Sequence, residues 1–251
     1  MRAAVLMCHA PIVIPAIGRD RVAECLATTR AMARAAAHVV AAQPRWLVVL
    51  SPHTPRHRSR WGLVDGQALG GSFAPFGHPE LRLSFPNAAA QAQAALGGVP
   101  TVAVPSQPLD HGALVPLWFL AQAGWAGPTA VLGVPWENTD AEAIGQALAA
   151  SDGAVVASGD MSHCLLPGAP AGHHPEAHRF DQAFVDALRR GSLRDAVRPD
   201  PALRELAAED VVDTTAVLHG ALGDRASVDV LAYEGPFGVG YCEAIFSRGA
   251  P

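Results

Sequence analysis

Five short and almost wholly apolar runs constrain this chain more than any other feature: Ala3–Met7, Trp46–Ser51, Thr101–Val104, Thr129–Val134 and Ala154–Ser158. Continuous apolar runs of this kind are strands buried on both faces. Between and after them lie Ala-rich stretches that the sequence predicts to be helical, at Val22–Ala42, Asn87–Leu96, Ala141–Ala150, Pro175–Arg190 and Pro201–Leu222. Pro201 suits a first helical turn, with Asp200 as its N-cap. Two later runs, Val228–Tyr233 and Val239–Phe246, add strands, and Trp61–Phe73 is expected to hold a short hairpin. Strands alternating with helices predict an α/β layered fold. Without repeat, linker or low-complexity block, residues 1–251 are expected to form a single domain.

Composition removes several classes of function. The net charge of −5 and the absence of a basic face argue against a nucleic-acid partner. No run of about 20 apolar residues exists to span a membrane, and the opening MRAAVLMCHAPIVIP is expected to be a buried strand rather than a leader. All 18 basic residues are Arg, which excludes chemistry that needs a Schiff-base or P-loop lysine. The four scattered cysteines point to reduced thiols and a cytoplasmic setting. No GxSxG stretch is present, and GVGYCEA has no helix after it to make a dinucleotide site.

Histidine placement is the main chemical signal. Open α/β sheets bind ligands beyond the C-terminal ends of their strands. His9 follows the first strand, His53 the second, and His163 the Ala154–Ser158 strand, while His111 follows Val104 after a short loop. Each of these alone reads first as a strand-end residue bonded to backbone; four together point to a site. His9 lies two residues before Pro11 and His53 directly follows Pro52, prolines that fix the backbone, and imidazole is the commonest protein metal ligand. Asp160, three residues before His163, and Asp110, adjoining His111, are carboxylates able to orient an imidazole for proton transfer. Asp110 also reads as the N-cap of a helix starting near Gly112.

The Pro201–Leu222 segment brings Glu209, Asp210 and Asp213 among apolar residues, where a carboxylate is costly unless paired or metal-bound; a solvated acidic stripe is the alternative. His174 and His178 in AGHHPEAH have the i, i+4 spacing of a zinc pair but lack the HExxH glutamate, so an exposed loop is the expected role. Trp118, Phe119 and Trp136 are aromatic candidates for a site wall, although such stripes are more often core.

Taken in order, CHAPIVIPAIG, VVLSPHTP, the FAPFG stretch, LDHGALVPLWFL, SGDMSHCL and YEGPFGVGYCEAIF resemble the LigB-like superfamily, the catalytic subunits of class III extradiol ring-cleavage dioxygenases. The resemblance is to its stand-alone bacterial branch, related to the Memo proteins, and runs from residue 1 to about 247. It implies a three-layer α/β/α domain with a mixed central sheet. It implies that His9 and His53 bind Fe(II), that His163 is the acid/base residue, and that His111 lines the substrate pocket and shares in proton transfer. Where the dioxygenases have a glutamate ligand and the Memo-like branch a cysteine, this chain has AAEDV. The third ligand therefore falls on Asp210, with Glu209 adjacent. The implied activity is O2-dependent opening of a catecholic ring. The alternatives are a Memo-like metal-binding protein without ring cleavage and a Zn-dependent metalloenzyme using the same site. The implied partners are a small aromatic substrate and O2, with a homo-oligomer left open.

Overall fold

The computed structural model describes residues 1–224 and 226–248. The last three residues of the expected 1–251 domain and residue 225 lie outside the described residues. Strands β1 (Ala3–Met7), β2 (Leu47–Ser51), β3 (Trp61–Val64), β6 (Thr101–Val104), β7 (Thr129–Gly133), β8 (Ala154–Ser158), β9 (Ala226–Glu234) and β10 (Tyr241–Arg248) form one mixed sheet. Their order is β6-β3-β7-β2-β8-β1-β10-β9. Strands β7, β2, β8 and β1 are mutually parallel, so Gly133, Ser51, Ser158 and Met7 end along one edge. A separate ribbon pairs β4 (Ala68–Phe73) with β5 (His78–Pro86).

Side chains of the central strands alternate between two cores, as a period of two requires. Ala4, Leu6, Val48, Leu50, Ala130, Leu132, Val155 and Ala157 face one side. Val5, Met7, Leu47, Val49, Val131, Ala154 and Val156 face the other. The first side is covered by α3 (Ala89–Leu96), α5 (Ala141–Ala149), α6 (Ala177–Arg189), α7 (Leu193–Val197) and α9 (Val212–Leu222). The second is covered by α2 (Leu26–Ala41), α4 (His111–Gln122) and the ribbon, beside the short α1 (Pro15–Gly18). The three layers are those the sequence implied. Among the described residues no helix is long and apolar enough to cross a membrane.

Three local expectations are corrected. The Trp61–Phe73 hairpin does not form, because β3 joins the main sheet between β6 and β7 while β4 pairs with β5. Strand β6 is parallel to β3, which is antiparallel to β7, so β6 runs against the central strands and its end is not on their C-terminal edge. His111 reaches that edge as the first residue of α4 instead. Finally, the predicted Pro201–Leu222 helix is two helices: α8 (Pro201–Ala207) ends at Ala208 in the left-handed region (φ 52°), and α9 starts at Val212. The break is held from outside. The Ala207 carbonyl accepts the His163 N–H, and the Asp210 N–H donates to the Asp160 carbonyl.

Candidate metal centre

The residues that follow β1, β2 and β8 converge with the α8–α9 connection at the C-terminal edge of the sheet. His9 Nε2 lies 3.0 Å from His53 Nε2. Asp210 Oδ2 lies 3.5 Å from the first and 3.4 Å from the second. Donors of a tetrahedral or facial site, each about 2.1 Å from its ion, are spaced ~3–3.4 Å apart. His111 adds a ring whose centroid is 4.1 Å from that of His53, and donor atoms of His9, His53 and His111 lie within 4.8 Å of one another.

The orientation of His9 traces back to a proline in the middle of α4. Pro116 has no N–H to give to the carbonyl four residues before it, that of Gly112. That carbonyl accepts the Ser158 hydroxyl at 2.6 Å. With its hydrogen so engaged, Ser158 Oγ accepts from His9 Nδ1, 3.0 Å away. Nδ1 therefore carries a proton, and Nε2 is the nitrogen that faces His53 and Asp210, as in a metal-binding imidazole with a partner behind it. Two imidazole nitrogens facing each other at 3.0 Å need a proton or a cation between them.

Asp160 braces this arrangement. Its Oδ1 accepts the His9 N–H at 2.9 Å, and its own N–H donates to Asp210 Oδ1 at 2.7 Å. With Oδ1 so held, Asp210 presents Oδ2 to the histidines. Gly159 permits the approach, since a Cβ there would stand 2.5 Å from Val211 Cα. The sequence suggested that Asp160 orients the His163 ring; its oxygens are turned to His9 instead, with Oδ2 3.7 Å from His9 Nε2. His163 is anchored by its backbone to Ala207 and Ala171, and its buried Nδ1 has no partner among the described residues. Ser162, beside it, donates its N–H to buried Asp181 Oδ1, while Tyr233 donates to Oδ2.

Asp110 caps α4 by accepting the Ala113 N–H, and it also accepts the hydroxyls of Ser51 and Thr54. One carboxylate thus ties the His53 loop to the helix that starts at His111. Gly112 fits between them; a Cβ would meet Ser51 Oγ at 2.5 Å. Phe76, at the tip of the β4–β5 ribbon, closes the His111 side with its ring centroid 5.7 Å away.

Neighbouring Glu209 is placed differently. Its buried carboxylate pairs with Arg204 through Oε1 and caps α9 by accepting the Val212 N–H through Oε2. Asp213 joins the same arginine at 2.9 Å. Trp118 and Phe119 line an apolar groove between α2 and α4, away from the histidines, while Trp136 stands beside Asp210 in a cavity of about 290 Å³. His173, His174 and His178 are exposed; His174 precedes α6, so the i, i+4 pair does not share a helix.

Charge at the centre favours a cation. Burial draws the His9 ring toward neutrality, but the carboxylates of Asp160 and Asp210 outweigh it and raise its pKa to about 9. Burial opposes ionisation of Asp210 too, yet His9 and hydrogen bonds from both histidines hold this carboxyl far below the usual range. Asp160 is pushed up by burial and by the charge of Asp210. Burial, with the charges of His53 and His9, lowers His111 to about 4. A positive charge is thus held where the ring nitrogens and Asp210 meet. A divalent ion would take the place of that proton, as metal binding to imidazole generally does.

Comparison with known proteins agrees with this architecture. The chain is similar to the protein CA_C1420 of Clostridium acetobutylicum, with 27% identity over 94% of this chain. It spans 55% of that relative's length, so about half of the curated protein lies beyond the match. Its fold is similar to that of the uncharacterized protein JW3007 of Escherichia coli K12 at a TM-score of 0.58 and 16% identity, covering 98% of this chain and 99% of that one. The model of the catalytic LigB subunit of aromatic ring-opening dioxygenase matches residues 3–243, and the chain belongs to that family.

Proposed function

We propose that the protein is a non-haem Fe(II) enzyme that opens the ring of a catecholic compound with O2. The observation that carries this reading is the triangle of His9, His53 and Asp210, with donor edges of 3.0–3.5 Å. Two histidines and one carboxylate are the donor set of the facial triad. Ferrous iron, when bound, supplies open positions at which a catechol and O2 meet.

The remaining chemistry falls to the chain. The His163 imidazole accepts a proton from a substrate hydroxyl and returns it as the ring opens, which is the task of a general acid–base group. The ring of His111, tilted by 32° against that of His53 and walled by Phe76, orients the aromatic substrate and keeps water from that side. Asp160 and Ser158 do not touch the substrate; they hold Asp210 and His9 in place.

The test is anaerobic loading with Fe(II), then addition of O2 with a panel of catechols, following oxygen uptake and a yellow semialdehyde product. His163→Ala should retain the metal and lose turnover by about 10²–10⁴. Loss of metal in that variant would make His163 a ligand. Absence of turnover across the panel, in protein holding stoichiometric Fe(II), overturns the ring-opening reading in favour of a Memo-like binding role. The donor set also suits Zn²⁺, and turnover with zinc but not iron would mark a different metalloenzyme.

A further inference from the structure

The segment that carries His163 leaves β8 without entering a helix, and α6 begins only at Ala177. An irregular stretch of this kind must find partners for its backbone groups elsewhere. The Met161 N–H donates to the Gly240 carbonyl at 2.8 Å, and the Ser162 carbonyl accepts the Gly240 N–H at 2.9 Å. The Leu165 N–H reaches the Gly238 carbonyl, and that of His163 reaches Ala207. The Cys164 N–H closes on Ser162 Oγ. There remains the Ser162 N–H, immediately before His163. It donates to Asp181 Oδ1 at 2.9 Å. Of the N–H groups of residues 161–165, this one is given to a carboxylate, while the others go to carbonyls or a hydroxyl.

Asp181 does not match the pattern of its own helix. It lies on the apolar face of α6 with Phe180, Phe184, Val185 and Leu188, and it is fully buried. A carboxylate in such a place is costly unless its oxygens are satisfied. Three elements are shaped to satisfy it. Ser162 takes Oδ1, and Tyr233 of β9 donates its hydroxyl to Oδ2 at 2.8 Å. Gly240 leaves the room, since a Cβ there would overlap Oδ2. Burial pushes the carboxyl up to about 6, which leaves it mostly ionised at neutral pH. Bonds to an ionised acceptor are stronger than bonds between neutral groups. A local rule broken in the core, with neighbours built to compensate, is the pattern of a functional demand.

We propose that Asp181 is a positioning residue for the proton transfer assigned to His163: it fixes the backbone at Ser162, and Tyr233 holds its carboxylate in the required direction. Both carboxylate oxygens are engaged by the protein, so Asp181 acts through the peptide unit before His163 and not by contact with substrate. The proposal rests on the reading of His163 as the acid–base residue. A misplacement of about 1 Å at a reacting group can cost ~10²-fold in rate, which sets the size of the expected effect.

The experiment has two readouts. The first is steady-state kinetics of Fe(II)-loaded protein with a catechol that it turns over. Asp181→Ala should lower kcat by about 10–100-fold, with KM within about threefold and metal stoichiometry unchanged. Asp181→Asn keeps an acceptor for the Ser162 N–H and an amide for the Tyr233 oxygen, and it should restore kcat to within about threefold of the parent. An unchanged kcat in Asp181→Ala, a loss matched by KM or by metal content, or a loss that asparagine does not restore overturns the proposal. The second readout needs no turnover. In full-length protein labelled with 15N-histidine and supplied with diamagnetic Zn²⁺, the ring signals of His163 are assigned by their absence from His163→Ala. They should move toward the shifts of free imidazole in Asp181→Ala and return in Asp181→Asn; signals that stay in place in Asp181→Ala overturn the proposal. If no catechol is turned over, the ring-opening reading fails by itself, and these spectra alone decide the positioning role. If Asp181→Ala does not fold, Tyr233→Phe, which leaves the Ser162 bond in place, should shift the same signals and lower kcat at least about threefold at constant KM. Parent-like values in that variant overturn the proposal.

Discussion

His9 and His53 reach the centre from the ends of β1 and β2, with β8 paired between those strands. Asp210 reaches it from a connection between two helices. The first two are placed by a sheet whose register is fixed by neighbours on both sides. The third is placed by two backbone hydrogen bonds to one residue, Asp160, and by a glycine that leaves room for it. The difference is one of tolerance: a strand end does not move without moving the sheet, whereas the helix break depends on a few local bonds.

The largest effects should come from the donors on each side. His9→Ala and Asp210→Ala should each abolish stoichiometric metal binding, measured by elemental analysis after dialysis. Glu209→Ala, one residue from Asp210, should behave oppositely. It removes the Arg204 ion pair and the α9 cap, lowering stability by ~1–3 kcal/mol with Arg204 still partly hydrated. Its metal content should stay near that of the parent. If Glu209→Ala loses metal and Asp210→Ala keeps it, the two carboxylates have been assigned in the wrong order.

A smaller effect tests the sheet side alone. Ser158→Ala removes the group that fixes the proton of His9 on Nδ1, and metal affinity in a competitive chelator titration should fall by about 10–100-fold, as is usual for such supporting bonds. An unchanged affinity would mean that the strand end by itself fixes the ring.

Smaller again is a pH effect under the His163 loop. Asp181 accepts bonds from Ser162 and Tyr233, yet burial outweighs them and pushes its carboxyl up from 3.8 to about 6. Because the folded value is raised, its contribution to stability is fully present below pH about 4 and is lost as the pH rises through about 6. At ~1.4 kcal/mol per pKa unit the upper bound is ~3 kcal/mol. Asp181→Asn should therefore gain stability relative to the parent as the pH is raised from 4 to 7 in denaturant titrations. A difference that is constant over this range would show that Asp181 titrates normally in the fold.

The sheet side was legible in the sequence because apolar runs mark buried strands and their ends mark the rim; His9 and His53 stand where that logic places them. The helix break was not. Its sequence, Ala207 to Asp210, contains neither glycine nor proline, and the interruption comes from bonds to residues 160 and 163, distant along the chain. Strand β5 did carry a signal, in Leu81, Leu83 and Phe85 alternating with Arg82 and Ser84. The part played by Asp160 was hidden for a different reason: its position beside His163 in sequence suggests one partner, and the parallel pairing of β8 with β1 supplies another.

Pro116 gives the sheet side an unusual vulnerability. A proline inside a helix costs ~3 kcal/mol relative to alanine, so Pro116→Ala should raise the melting temperature. The new N–H, however, competes for the Gly112 carbonyl that now receives Ser158, and metal affinity should drop by up to about tenfold. Selection for thermal tolerance alone would favour this change, and selection for activity would reject it. Both shifts together would show a helix kept below its attainable stability by the demand placed on one imidazole proton, a local case of stability traded for function.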